Sequence, residues 1–437
     1  MLKIDFFQSD IIKEYEDQIA AIIKARNNGK DEIEFIPNTQ YKISIHDLLT
    51  SERSKILSIS GINLYMYICS SQKYKSMSNV ELLHTLSIEY PDMVTNIEHR
   101  NSFYKYKING VTYHTTSKTD KNNHPIIREA AYIIKDKFST YDANYATRYF
   151  SNKSINSVCD LKDVLDDMFT GLKNQLLVCT NNNVRKEYII DYSILPGDLR
   201  HKLMNSIGIR TCPYCNRNFI TRYGINGNKS TADLDHFYQK KQYPLFALSL
   251  FNFVPSCSIC NSRMKNTHSA DGTLYPYDEG FEDDAHFELK YTGKDFSGLG
   301  TLRLFQALES VKYDDYEVEI SVDPYTSPDK SGKIEKSKEL FHLTEVYANH
   351  KQDALEVALR TRIFCEGSYK FFCQKLFDKL SESGMTNVSS SDLEDNLFSD
   401  ILNDEWLMFG IFTNDEKRRF DKPLSRMIYD IYNSGKK

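Results

Sequence analysis

Two Cys-x-x-Cys pairs, Cys212-Pro-Tyr-Cys215 and Cys257-Ser-Ile-Cys260, constrain this chain more than any other feature, and 41 residues lie between them. Each pair sets two sulfurs on one tight turn, and two such turns complete a tetrahedral shell. Four thiolates suit Zn²⁺ and leave it no open position, so the expected zinc is structural and carries no chemistry itself. A redox role is the other reading of Cys-x-x-Cys, but neither pair sits in a thioredoxin-like βαβ pattern. The chain has nine cysteines. Four are then ligands, and Cys69, Cys159, Cys179, Cys365 and Cys373 are expected as packed thiols.

Composition excludes some classes. With 437 residues, length alone suggests several domains. An aromatic share of 13% and long periodic segments exclude full disorder. No run of about 18 apolar residues exists, so no membrane span is expected. The longest apolar candidate, Tyr243 to Val254, is interrupted by Ser249 and Asn252. Acidic residues enter the N-terminal stretch before an apolar leader could form, which points to a reducing, cytoplasmic location.

Periodicity predicts a mixture of strands and helices over the first two hundred residues. Ile33 to Ile45 and the short run Ile62 to Cys69 show some alternation. Phe103 to His114 alternates around Asn109-Gly110, the pair that suits a type I′ hairpin turn. Ile126, Ile127, Ala130, Ile134 and Phe138 fall on one helix face, and a longer stripe runs from Leu161 to Leu176 and Cys179. Tyr316 to Val322 alternates like a strand. A helix-rich segment follows from Ile334 to Leu380, then a serine loop at Ser389 to Ser391 and a helix through Leu393, Leu397 and Ile401. The tail carries Lys417, Arg418 and Arg419, which read best as a solvated helix face.

Between the cysteine pairs runs Asp233-Leu-Asp235-His236-Phe-Tyr, then Lys240-Lys241, then Phe251-Asn252-Phe-Val-Pro255. Cys260 is followed at once by Asn261 and then by Arg263 and Lys265. The order of cysteine pair, Asp-His, Asn, cysteine pair and Asn resembles the HNH (ββα-metal) nuclease family, in the variant whose last His is Asn. The resemblance covers roughly 80 residues, and its wording is closest to HNH proteins of bacterial anti-phage systems of the Septu and retron-associated type. It implies an α+β fold: a mainly helical multi-domain protein containing a zinc-stapled ββα-metal nuclease domain. The segments expected are an N-terminal α+β domain (1–120), a helical segment (121–204), the HNH domain (205–290) and a mainly helical C-terminal domain (291–437). It also implies antiviral defence with an ATPase partner protein.

The chemistry suits these residue types. Phosphodiester hydrolysis needs an activated water and a charge sink at the leaving oxygen. His236 is placed to take the proton of the water. Asp235 and Asn261 offer oxygens to a hard cation, Mg²⁺ or Mn²⁺. The resemblance implies that Asn252 orders the loop that positions the base, and an ordinary Asx turn is its plainer reading.

Charge follows the same map. The net charge is −5, yet residues 201–265 hold nine Lys/Arg against two Asp, so +7 sits within a remainder of −12. A local positive field attracts a phosphate backbone. Lys240, Lys241, Arg263 and Lys265 are the expected DNA contacts. One active site per chain cuts one strand per event, so a double-strand break calls for a homo-oligomer or for successive nicks. The alternative is a non-catalytic zinc-stapled adaptor or nucleic-acid-binding subunit, which would need the zinc ligands without Asp235, His236 and Asn261. A zinc deaminase is excluded because its H-x-E signature is absent at His236.

Overall fold

The computed structural model describes residues 1–91, 94–100, 103–108, 111–116, 124–151, 155, 158–180, 185–293, 300–309, 312–365 and 421–436, with 375, 378, 379 and 382. Helices and several small antiparallel sheets are mixed along the chain, an α+β architecture. No helix among these residues is long and apolar enough to cross a membrane. The chain divides into two compact units: Ile12–Leu195 with Tyr238–Asn252, and Met1–Ile11 with Pro196–Phe237 and Phe253–Lys437. The 205–290 segment is therefore shared between them.

In the first unit, strands β1 (Glu32–Glu34) and β2 (Lys42–Ser44) pair antiparallel with Ile33 opposite Ile43. These short strands are what the alternation from Ile33 to Ile45 becomes. The run Ile62 to Cys69 is not a strand but helix α1 (Ile62–Ser70), which buries Ile62, Leu64, Tyr65, Ile68 and Cys69. A short, largely apolar run reads the same for a buried helix and a buried strand. Gly61 caps α1 at φ 85°, and a Cβ there would meet the Tyr41 ring at 2.3 Å, so only glycine fits.

Strands β3 (Val94–Arg100), β4 (Phe103–Ile108) and β5 (Val111–Thr116) form a meander, with Ile108 opposite Val111. The expected hairpin forms, and its Asn109-Gly110 turn lies outside the described residues. Helix α2 (His124–Tyr141) buries Ala130, Ile134 and Phe138 as its periodicity requires. Helix α3 (Val158–Gln175) buries Leu161, Val164, Leu165, Met168 and Leu172. The stripe does not continue as helix to Cys179. Residues Leu177–Thr180 are strand β6, paired with β7 (Arg185–Tyr188), with Cys179 and Lys186 at the same backbone register position. Val178 and Thr180 are β-branched, and the ladder with β7 gives their backbone its partners.

The 238–252 segment fills the core of this unit with rings. Phe246 meets Tyr65 edge-on at 5.4 Å and Phe251 at 5.1 Å. Such aromatic pairs contribute about 0.5–1.5 kcal/mol each beyond area burial.

The second unit holds strand β8 (Asp233–His236), paired antiparallel with β9 (Phe253–Ser256), Asp235 opposite Val254 and His236 opposite Phe253. A π-helical turn, Ile259–Lys265, follows directly. Strand β10 (Ala285–Tyr291) pairs along its whole length with β11 (Tyr316–Val322), the strand expected from alternation. The helix-rich segment is broken rather than continuous. Helix α4 (Pro328–Leu340) ends before His342, which sits at φ 47°, and α5 (Lys351–Cys365) comes later. Phe372, Cys373, Leu376, Leu380, the serine loop, the helix at Leu393 to Ile401 and the triplet Lys417 to Arg419 lie outside the described residues. Helix α6 (Ser425–Lys436) docks on β10: Asp430 accepts from Phe287 N at 3.0 Å, and Arg426 donates to Asp430 at 2.9 Å and to Ala285 O at 3.1 Å.

Candidate metal centre and adjoining carboxylate site

The first cysteine pair sits in a knuckle closed by backbone bonds. Cys212 N donates to Asn218 O at 3.0 Å, and Asn216 N donates to Cys212 O at 2.7 Å. Asn216 takes a left-handed conformation, φ 46°, that lets the chain reverse. Its amide holds the turn to α6, accepting from Arg426 N at 2.9 Å. The second pair opens the π-helical turn, and Cys260 N points at Cys257 Sγ at 3.5 Å.

All four Sγ atoms lie within 4.8 Å of one another, and all four residues are buried. A tetrahedral zinc with Zn–S bonds of about 2.3 Å requires sulfurs about 3.8 Å apart, so the cluster fits such an ion with little contraction. The surrounding donors also fit bound thiolates. Asn218 Nδ2 reaches Cys257 Sγ at 3.3 Å and Cys215 Sγ at 3.7 Å, and Arg217 N reaches Cys215 Sγ at 3.4 Å. The sulfurs also bond to one another. Hydrogen bonds from Cys212, Cys215 and Cys260 hold the Cys257 thiol far below its ordinary range, while burial pushes the Cys212 thiol up. Protons shared within a buried sulfur cluster are those a cation displaces on binding.

Asp235 lies beside this centre on β8 and is 3% exposed. Its Oδ1 accepts from Lys265 Nζ at 2.9 Å, and its Oδ2 accepts from the Tyr214 hydroxyl at 2.8 Å. Burial, reinforced by the adjacent Asp235 carboxylate, pushes the Tyr214 phenol well above its ordinary pKa, so it stays protonated and donates. Lys265 is 2% exposed and gives a second bond to His236 O at 2.7 Å. Lys265 was expected as a surface phosphate contact. It is instead an internal cation, because the π-helical turn carries its side chain back under β8 to meet Asp235.

Asp235 and Asn261 were expected to share a cation. The direct partner of Asn261 is Asp233: Asn261 Nδ2 donates to Asp233 Oδ2 at 3.1 Å. Asp233 and Asn261 are both partly exposed. His236 ends β8 at 9% exposure, with its ring edge-on to Phe253 at 5.2 Å. Asn252, in the other unit, clamps its own loop. Its Oδ1 accepts from Tyr238 N at 2.6 Å, and its Nδ2 donates to Tyr238 O at 3.0 Å and Phe246 O at 2.9 Å. Arg263 is exposed on the π-helical turn. Lys240 and Lys241 are exposed in the other unit, and Lys240 stands 4.6 Å from the Tyr192 ring centroid.

Three residues take roles that the sequence reading did not give them: Asn218, Tyr214 and Lys265. Asn218 and Tyr214 carried a signal, as polar groups within or just after the first Cys-x-x-Cys. Lys265 carried none, since a lysine four residues after Asn261 reads as solvated.

Comparison with known proteins returns nothing: no family model, no curated protein and no solved structure matches the chain.

Proposed function

We propose that this chain is a metal-dependent endonuclease of the HNH type that hydrolyses phosphodiester bonds of DNA. One observation carries the reading. A two-stranded hairpin and the helical turn after it are gathered around a four-cysteine centre, with Asp235-His236 closing the first strand and Asn261 bonded back to that strand through Asp233.

His236 would take the proton from the attacking water. A divalent cation, when bound, stabilises the leaving oxygen as a Lewis acid. The donor set suits a hard ion in part. A half-turn of the Asn261 amide sets its oxygen beside Asp233 Oδ2, giving two oxygen ligands. Asp235 can join them only when Lys265 withdraws, and the freed ammonium then becomes a phosphate contact beside Arg263. Lys240 and Lys241 are proposed as further phosphate contacts. Zinc in the cysteine centre keeps the hairpin and turn together and takes no part in the chemistry.

The test is cleavage of plasmid and single-stranded DNA by zinc-loaded protein with Mg²⁺ or Mn²⁺, alone and with an ATPase encoded beside it. Cleavage by wild type that is lost in His236→Ala supports the reading. Absence of cleavage under every condition overturns it.

A second reading has its own observation. Both oxygens of Asp235 are already engaged, by Lys265 and Tyr214, as in a purely structural network. On that reading the chain is a zinc-stapled adaptor that binds without cutting. DNA binding that persists without cleavage, equal in wild type and His236→Ala, would select it.

A further inference from the structure

The unit of residues 12–195 and 238–252 contains a pocket of about 450 Å³. Its charged lining is Lys173, Lys240, Lys241 and Asp191. Among the described residues, no carboxylate forms an ion pair with any of the three lysines. Lys240 instead stands over Tyr192 at 4.6 Å, and Lys173 over Phe169 at 4.3 Å. The Asp191 carboxylate accepts from Ser193 N at 2.9 Å in a local turn and offsets one of the three positive charges. Desolvation lowers the Lys173 pKa, with repulsion from Lys75 as a further cause, so an incoming anion would relieve this site.

Apart from Ser193, the remaining lining is aromatic and aliphatic. Ile190, Pro244 and Ala247 belong to it, and Tyr188 keeps 36% of its surface exposed at its edge. Three lysines against one carboxylate, in a pocket that also has aromatic and aliphatic lining, match a ligand with a polyanionic end and a planar, weakly polar end. The volume lies within the range of small-ligand sites. We propose that this pocket binds a nucleoside phosphate, with its phosphates among Lys173, Lys240 and Lys241 and its base against Tyr188.

The same chemistry comes from two sources, a free nucleotide or the phosphorylated end of a nucleic-acid strand. The inference does not depend on cleavage at His236, and His236→Ala should leave this binding unchanged.

The experiment is calorimetric titration of the full chain with ATP, AMP, adenosine and pyrophosphate. ATP should bind, more weakly as salt rises, and adenosine should not. Lys240→Glu with Lys241→Glu should weaken ATP at least about tenfold. Both lysines are exposed, so an unchanged melting curve will show that the double variant folds. Tyr188→Ala should weaken ATP and leave pyrophosphate as it was. Competition by a 5′-phosphorylated oligonucleotide assigns the pocket to strand ends, and its failure to compete assigns it to free nucleotides. The proposal is overturned if ATP and the oligonucleotide both fail to bind, or if the double lysine variant binds as wild type does.

Discussion

Lys265 Nζ lies 2.9 Å from Asp235 Oδ1, with the two side chains 2% and 3% exposed. A buried pair of this kind is weak evidence for net stability, because desolvation offsets much of the attraction. Breaking it from one side is another matter. Lys265→Met leaves the carboxylate in the interior with Tyr214 as its remaining partner, and the expected loss is about 3–5 kcal/mol. Denaturant unfolding measures it. The double variant with Asp235→Asn should recover part of the loss, and strict additivity would show that the two groups are not coupled.

Cys212→Ser should remove zinc and unfold the hairpin and π-helical turn together, since binding energy at such a site is folding energy. Metal analysis of purified protein, paired with circular dichroism, checks both. A variant that keeps its zinc and its structure would sink the four-cysteine assignment.

Asn218 bridges the two cysteine knuckles through Cys215 and Cys257. Asn218→Ala should retain the four ligands but weaken zinc by about 10–100-fold, the usual size of an outer-shell loss. Competition against a coloured chelator reads this directly. Unchanged affinity would mean that the amide only packs.

Asp430 gives a pH dependence of definite sign. Burial raises its pKa above the usual carboxylate value even though Arg426 beside it pulls the other way. A raised pKa means that the folded chain holds the proton more tightly than the unfolded chain. The group's stabilising share is therefore complete below the ordinary carboxylate range and is lost as pH rises through the folded value. Asp430→Asn, which cannot ionise, should gain on wild type as pH rises above the ordinary carboxylate range. Unfolding measured across that rise tests it, and a difference that is flat or of opposite slope refutes the argument.

Local rules reached some of this molecule from the sequence. The four cysteines of the candidate metal centre were legible because Cys-x-x-Cys presents two sulfurs through short-range geometry alone. The β4–β5 hairpin was legible for a similar reason, since its alternation and turn residues lie within one short stretch. The strand β11 and the buried face of α2 followed from simple periodicity.

Other features were settled by long-range packing. The switch from helix to strand after Gln175 depends on β7 offering a ladder partner. The packing of Ile62, Leu64, Tyr65, Ile68 and Cys69 into the core decided helix over strand for α1 where periodicity could not. Asn261 meeting Asp233, and Asp235 meeting Lys265, depend on how a π-helical turn lies against β8. Lys173 and the adjacent pair Lys240-Lys241, which share a pocket, come from two segments far apart in the chain. The sequence by itself determined which residues could bind a metal or a phosphate, because those capacities belong to side-chain types and short spacings. Only the tertiary structure decided which carboxylate faces a lysine and which faces an amide, because those pairings are set by contacts between residues distant in sequence.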